Sequence, residues 1–207
     1  MGLKMSKFIK NSALLLAILI MFQFCSSTKT YDNRAAAEYF ITVTQGGVEL
    51  GEIGMKLFKD EAPEHSRNFD SLVSIGFYDG TLFHRVVPGF MIQGGDPRSK
   101  EPRSQTNIWG YGMPDQRKIK AEFFSSHNHT RGIISAARET DPNSATSQFF
   151  ICVDDASQLD GKYSIFGEVV SGMDVADKVV AAKIDGSDDN LTRPLVNIEM
   201  KIKKVNK

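Results

Sequence analysis

The chain of 207 residues carries 25 basic and 25 acidic side chains, with 41% hydrophobic and 24% charged residues. That composition fits one globular domain with a sizeable core plus an extension, and excludes a low-complexity or disordered chain. A formal net charge of zero gives no electrostatic reason to bind nucleic acid.

Residues 1–24 read as a signal peptide. Lys4, Lys7 and Lys10 precede an apolar run from Ala13 to Phe22, too short to cross a bilayer comfortably and suited to the h-region of a secretory signal. Cys25 follows directly, then the polar Ser26, Ser27, Thr28 and Lys29, an order that resembles a bacterial lipoprotein. Phe24 departs from the small residue usual before such a cysteine. The expectation is lipidation of Cys25, residues 25–36 as lipidation site and tether, and an exported, membrane-anchored lipoprotein in the periplasm or at the cell surface. An uncleaved signal anchor and cleavage at another nearby bond are the alternatives. Cys152, the second of two cysteines, sits in the apolar FFICV run and reads as a small buried hydrophobe rather than half of a disulfide.

From Glu38 the chain alternates apolar and polar residues to Thr44, turns at Gln45, Gly46 and Gly47, and alternates again through VELGEIGMKLF, which predicts a hairpin. The period then changes. Pro63 suits a first helical turn, and Phe69, Leu72 and Val73 fall on one side of a helix predicted over 62–75. In the stretch Leu82–Pro97, LFHRVVPGFMIQGGDP, a strand places Phe83, Arg85 and Val87 on one face and His84 and Val86 on the other, before Pro88 and Gly89 turn the chain. An arginine among apolar neighbours is costly to bury unpartnered, so Arg85 marks a site.

Residues 98–129 lack periodicity and predict a long surface loop. Strands are predicted over 132–137, 147–153, 164–169 and 195–203, and a helix over 172–182. About eight strands and two helices, without βαβ alternation, imply a mainly β, antiparallel fold whose closure would remove exposed edges.

Three blocks in order, FHRVVPGFMIQGGD, SQFFI and LDGKYSIFG, resemble the cyclophilins, the peptidyl-prolyl cis-trans isomerases. The resemblance covers roughly Ala37 to Lys204 and implies an isomerase domain over 37–207. Its implied fold is a closed eight-stranded antiparallel barrel capped by two α-helices. The ARETDPNSATSQFF segment is closer to bacterial members, and Tyr163 stands where animal members usually have histidine.

Rotation about an X-Pro bond needs no nucleophile, metal or cofactor, because the barrier is lost C–N double-bond character. As the amide twists, the prolyl nitrogen regains a lone pair that a permanently charged, multi-donor guanidinium can stabilise. The resemblance gives that role to Arg85. Gln93 is expected to hold the substrate backbone, and Phe90, Met91, Phe150 and Leu159 to form an apolar pocket for the proline ring. The family motif adds Ala137 and Arg138 as a strip for the substrate backbone, Gln148 as a support beside Arg85, and Tyr163 in the pocket wall. Gln158 replaces a tryptophan frequent in the family, which puts cyclosporin affinity in question.

The expected partners are proline-containing polypeptides and, through lipid, a membrane; the chain is expected to act as a monomer. The rival from another class is a lipid-tethered chaperone or adhesin that grips proline segments without turnover. His84 reads as a satisfied structural histidine. His127 and His129 share a side in extended chain, the minimum for a metal site, but no further ligands are evident and a solvated loop accounts for both. Gly94, Gly95 and Asp96 lack the lysine of a phosphate loop.

Overall fold

The computed structural model describes residues 31–185 and 192–205. Cys25, the predicted signal peptide and most of the predicted tether lie outside them.

The predicted hairpin is β1 (Tyr39–Gln45) and β2 (Val48–Leu57), paired antiparallel. Gly46 and Gly47 join them at φ +57° and +83°, the two positive values that a tight turn matching strand twist requires. Tyr39, Ile41 and Val43 alternate inward with no exposure, so the period of two in the sequence is the period of burial.

The remaining strands are β3 (Thr81–Leu82), β4 (Arg85–Val87), β5 (Met91–Gly94), β6 (Ile133–Ala136), β7 (Phe149–Cys152), β8 (Ile165–Ser171), β9 (Ile184–Asp185), β10 (Arg193–Pro194) and β11 (Ile198–Lys204). The main sheet runs β3-β11-β1-β2-β8-β6-β7-β5-β4. Its two ends, β3 and β4, belong to one run of chain separated only by Phe83 and His84. The order therefore returns on itself and the barrel closes with eight staves, as the resemblance implied. β9 and β10 form a separate two-residue ribbon that sequence periodicity did not predict.

Two α-helices pack on the barrel among the described residues: α1 (Pro63–Ser74) and α2 (Met173–Val180). α1 turns Phe69 into an aromatic cluster, its ring 5.2 Å from Tyr78, 5.5 Å from Tyr39, 5.7 Å from Phe166 and 5.8 Å from Phe149. Ala62, at the start of α1, has no side chain to cap it. Glu122 does so from the long loop, accepting the Glu64 and His65 N–H groups at 2.9 and 3.0 Å. α2 buries Met173, Val175, Ala176 and Val179. No helix among the described residues is long and apolar enough to cross a membrane.

Four expectations change. The 98–129 segment is not simply a surface loop: it buries Trp109, Ile119 and His129 and is pinned by Asp96, which accepts the N–H groups of Arg98 and Gly110. The strand break at Phe83 and His84 slips the alternation, so Phe83 turns into the main core instead of sharing a face with Arg85. β11 begins at Ile198, leaving Leu195 and Val196 half-exposed. Residues 31–36, expected in the tether, dock on the barrel. Asp32 bridges to Ser171, the Asn33 N–H donates to the Val170 carbonyl at 2.9 Å, and Arg34 pairs with Glu52 and covers the Phe40 ring at 4.1 Å.

Candidate active site

The period-two pleat builds the site on the outer wall of the barrel. In β5, Ile92 enters the main core while Met91 and Gln93 face out; in β7, Phe149 and Ile151 enter while Phe150 and Cys152 face out. Met91, Phe150, Cys152 and Ala156 form a second apolar cluster, with Val87, Phe90, Ala137, Leu159 and Tyr163 packed against it. Burial among these groups pushes the Cys152 thiol up to about 12, which leaves it an unreactive apolar filler.

A cavity of about 250 Å³ opens over this cluster. Arg85, Phe90, Met91, Gln93, Ala137, Arg138, Phe150, Leu159 and Tyr163 line it, so nine side chains singled out from the sequence converge on one pocket. Gln148, the tenth, lines a larger adjoining cavity of about 440 Å³ that shares Gln93, Ala137 and Arg138 with the first.

Arg85 and Gln93 are direct partners across β4 and β5. The guanidinium Nη1 donates to Gln93 Oε1 at 3.3 Å and grazes the Met91 sulfur at 4.0 Å. No carboxylate pairs with Arg85 among the described residues, and Nε and Nη2 keep their protons unspent. Burial lowers the Arg85 pKa from its ordinary value, yet a guanidinium stays charged at any physiological pH.

The amide chain continues outward. Gln93 Nε2 donates to Gln148 Oε1 at 3.1 Å, and Gln148 Nε2 donates to the Gly110 carbonyl at 2.8 Å. Since Gln93 must accept from Arg85, its amide orientation is settled and one N–H remains free for another acceptor. Gln148 thus reaches Arg85 through Gln93 rather than by contact, and is itself held by the Gly110 carbonyl.

Arg138 spends its side chain on carbonyls. It bonds the Lys162, Glu139 and Thr140 oxygens and stacks over Tyr163 at 4.5 Å, which fixes the wall between the two cavities. The Ala137 N–H is taken by the Gln148 carbonyl at 3.0 Å. Gln158 is exposed on the turn before Leu159, outside the pocket lining.

The histidines depart from expectation. His84 is buried and burial holds its pKa down to about 4 against the opposing pull of Asp96 and the Leu82 backbone; neither ring nitrogen makes a hydrogen bond of good geometry among the described residues, so it is structural but only loosely held. His127 stacks on Phe58, centroids 4.1 Å apart, whereas His129 is buried behind Phe150. The two do not share a site. Sequence reasoning also missed the Gly110 carbonyl and Glu122, which act through long-range contacts that no local period signals.

The family model described as cyclophilin type peptidyl-prolyl cis-trans isomerase/CLD matches residues 39–206. A peptidyl-prolyl cis-trans isomerase of Acinetobacter baylyi is 39% identical over 173 residues, covering 80% of this chain and 87% of that one. Peptidyl-prolyl cis-trans isomerase A of Dickeya dadantii is 35% identical over 202 residues, covering 94% and 99%. The crystal structure of a cyclophilin type isomerase from Cryptosporidium parvum superposes with a TM-score of 0.67 at 29% identity, covering 82% of this chain and 97% of that one. A second structure of that protein, in the presence of the dipeptide ala-pro, covers 81% and 99% with a TM-score of 0.65. With the barrel closed, a charged arginine beside an apolar pocket and the match spanning nearly all the described chain, this protein belongs to the cyclophilin-type peptidyl-prolyl cis-trans isomerases.

Proposed function

We propose that the Arg85 pocket turns X-Pro bonds of exported polypeptides and so assists their folding, from a position tethered to a membrane by lipid on Cys25. The observation that carries the catalytic part is an unpaired guanidinium, held by an uncharged amide, at the edge of an apolar pocket. Phe90, Met91, Phe150 and Leu159 receive the proline ring, while Gln93 offers its remaining N–H to the substrate backbone. With the ring seated and one side of the bond anchored, the other side rotates. As the amide twists out of plane, an Arg85 N–H meets the lone pair appearing on the prolyl nitrogen, an interaction absent from the planar ground state.

Catalysis by such a donor is worth about 2 to 4 kcal/mol, so Arg85→Ala should lower kcat/KM roughly thirtyfold to a thousandfold. Peptide affinity, carried by the apolar pocket, should stay within a few-fold. Wild-type turnover in this variant would remove Arg85 from the mechanism. The tethered location rests on the order of basic residues, apolar run and Cys25. Fatty-acid labelling followed by mass measurement of the mature N-terminus tests it, and an unmodified N-terminus elsewhere than Cys25 would refute it.

A further inference from the structure

Phe150 lines the proline pocket with one face, and a residue outside the pocket holds the other. The His129 ring lies nearly parallel to it, centroids 6.0 Å and planes 16° apart, with its side chain completely buried. Nδ1 stands 2.8 Å from Asp160 Oδ1 and Nε2 stands 3.1 Å from Ser135 Oγ. A carboxylate accepts only, so Nδ1 carries the proton, while Nε2 faces a Ser135 hydroxyl whose own proton goes to the Ser164 carbonyl at 2.8 Å. Burial keeps the ring neutral by lowering its pKa. The Nδ1 edge of this imidazole is therefore committed to Asp160, and complete burial beside Ser135 holds its plane.

The main chain of the same residue grips a second wall. The His129 N–H donates to Asp160 Oδ1 at 2.7 Å, and its carbonyl accepts from the Ala156 N–H at 2.7 Å. These two bonds bracket the Ser157–Leu159 turn that carries Leu159 into the pocket. Ser135, in turn, is the cross-strand partner of Phe150 between β6 and β7. His129 is thus tied to the strand beside Phe150, to the ring of Phe150 and to the turn of Leu159.

We propose that His129, through Asp160 and Ser135, is a positioning residue of the isomerase: it sets the plane of Phe150 and the reach of Leu159, and so the fit of the proline ring. It touches no substrate and transfers no proton. This rests on the reading that the ring binds against Phe150. Loosening two apolar walls removes binding that ground and transition states share, so KM should rise while kcat holds.

The experiment is full steady-state kinetics on a proline peptide for His129→Leu, Asp160→Ala and Asp160→Asn, with thermal unfolding alongside. His129→Leu and Asp160→Ala should raise KM about three- to tenfold with kcat within twofold, and Asp160→Asn, which keeps an oxygen acceptor for Nδ1–H, should recover most of the loss. A variant that was merely less folded would lose maximal rate at unchanged KM, which would overturn the proposal. Phe150→Ala supplies the control. If it raises KM by itself, adding His129→Leu should raise KM little further, because the ring being positioned is gone; a fully additive effect would also overturn the proposal. If Phe150→Ala leaves KM unchanged, the pocket reading fails, and the positioning role with it.

Discussion

Arg85 and Gln93 stand opposite each other on β4 and β5, and the guanidinium donates to a neutral amide oxygen at 3.3 Å. An amide restrains the cation without cancelling its charge. A carboxylate in that place would gain several times the attraction at the same distance and hold the donors away from substrate. In the proposed mechanism the neutrality of Gln93 therefore matters, and its orientation comes from Gln148, itself held by the Gly110 carbonyl.

Gln93→Glu should accordingly lower kcat by about ten- to a hundredfold, the cost of roughly 1.4 to 3 kcal/mol of lost transition-state stabilisation. Gln148→Leu, which frees the amide of Gln93 without adding charge, should cost only a few-fold. Stopped-flow isomerisation of a proline peptide measures both. Equal losses in the two variants would show that geometry alone matters at Gln93.

Acid should unfold this protein before it silences the catalyst. His65, His84 and His129 are buried, and burial lowers the pKa of each from 6.5, that of His84 to about 4. Between those values the unfolded chain binds more protons than the folded one, so stability is complete above about pH 6.5 and falls as pH drops toward 4. Asp160 and Glu122 act in the same direction at lower pH: burial raises them, but hydrogen bonds from His129 and from the start of α1 hold each below its ordinary value. Melting temperature should be level from pH 7 to 9 and decline below 6.5, while turnover at the uncharged-histidine plateau stays flat, since Arg85 does not titrate there. His84→Leu, which removes two buried nitrogens that lack a hydrogen bond of good geometry, should flatten the acid limb. An unchanged limb in that variant would shift the acid sensitivity to the other two histidines.

Much of this architecture is readable from period alone. Tyr39, Ile41 and Val43 inward on β1, and Ile198, Met200 and Ile202 inward on β11, follow from strict alternation, as α1 follows from Pro63 and the spacing of Phe69 and Val73. The pocket residues came from motif resemblance, since nothing in the spacing of Phe90, Met91 and Phe150 separates pocket lining from core. The pleat makes the distinction, sending Ile92 and Ile151 one way and Met91 and Phe150 the other. His129 and Glu122 escaped because both lie in the aperiodic 98–129 stretch and act on partners 31 and 57 residues away. Phe83 departs from its predicted face for a related reason: alternation counts faces correctly only while the strand is unbroken.

The Glu122 cap gives a stability test separate from catalysis. Its carboxylate takes two N–H groups at the first turn of α1 and the His65 Nδ1 at 2.6 Å, where the helix dipole also favours negative charge. Glu122→Ala should cost about 1 to 2 kcal/mol, as loss of a side-chain cap does, with kcat and KM near wild type because no pocket residue is involved. Glu122→Gln should cost less. Chemical denaturation with matched kinetics checks both numbers, and a loss of turnover without a loss of stability would tie the 98–129 segment to the pocket directly.

The N-terminal boundary of the folded body makes the final prediction. Tyr31 donates its hydroxyl to the Arg131 carbonyl and lies under the Arg131 guanidinium at 5.9 Å, while Arg131 pairs with Asp177 on α2 at 2.7 Å. Asn33 adds a backbone bond to β8, and Arg34 adds the Glu52 ion pair. A chain beginning at Tyr31 keeps all of these contacts; a chain beginning at Ala37 keeps only the Arg131–Asp177 pair. Exposed ion pairs contribute little, so the hydrogen bonds of Tyr31 and Asn33, among them the Gly172 N–H to the Tyr31 carbonyl at 3.3 Å, and the buried part of the Tyr31 ring dominate, about 2 to 3 kcal/mol together. For a domain of this size that is a fall in Tm on the order of 5 to 10 °C. Both chains should isomerise at the same rate at 25 °C, because none of these residues lines the pocket. Equal melting temperatures would return residues 31–36 to the tether, and a slower shorter chain would connect the N-terminal segment to the site through β8.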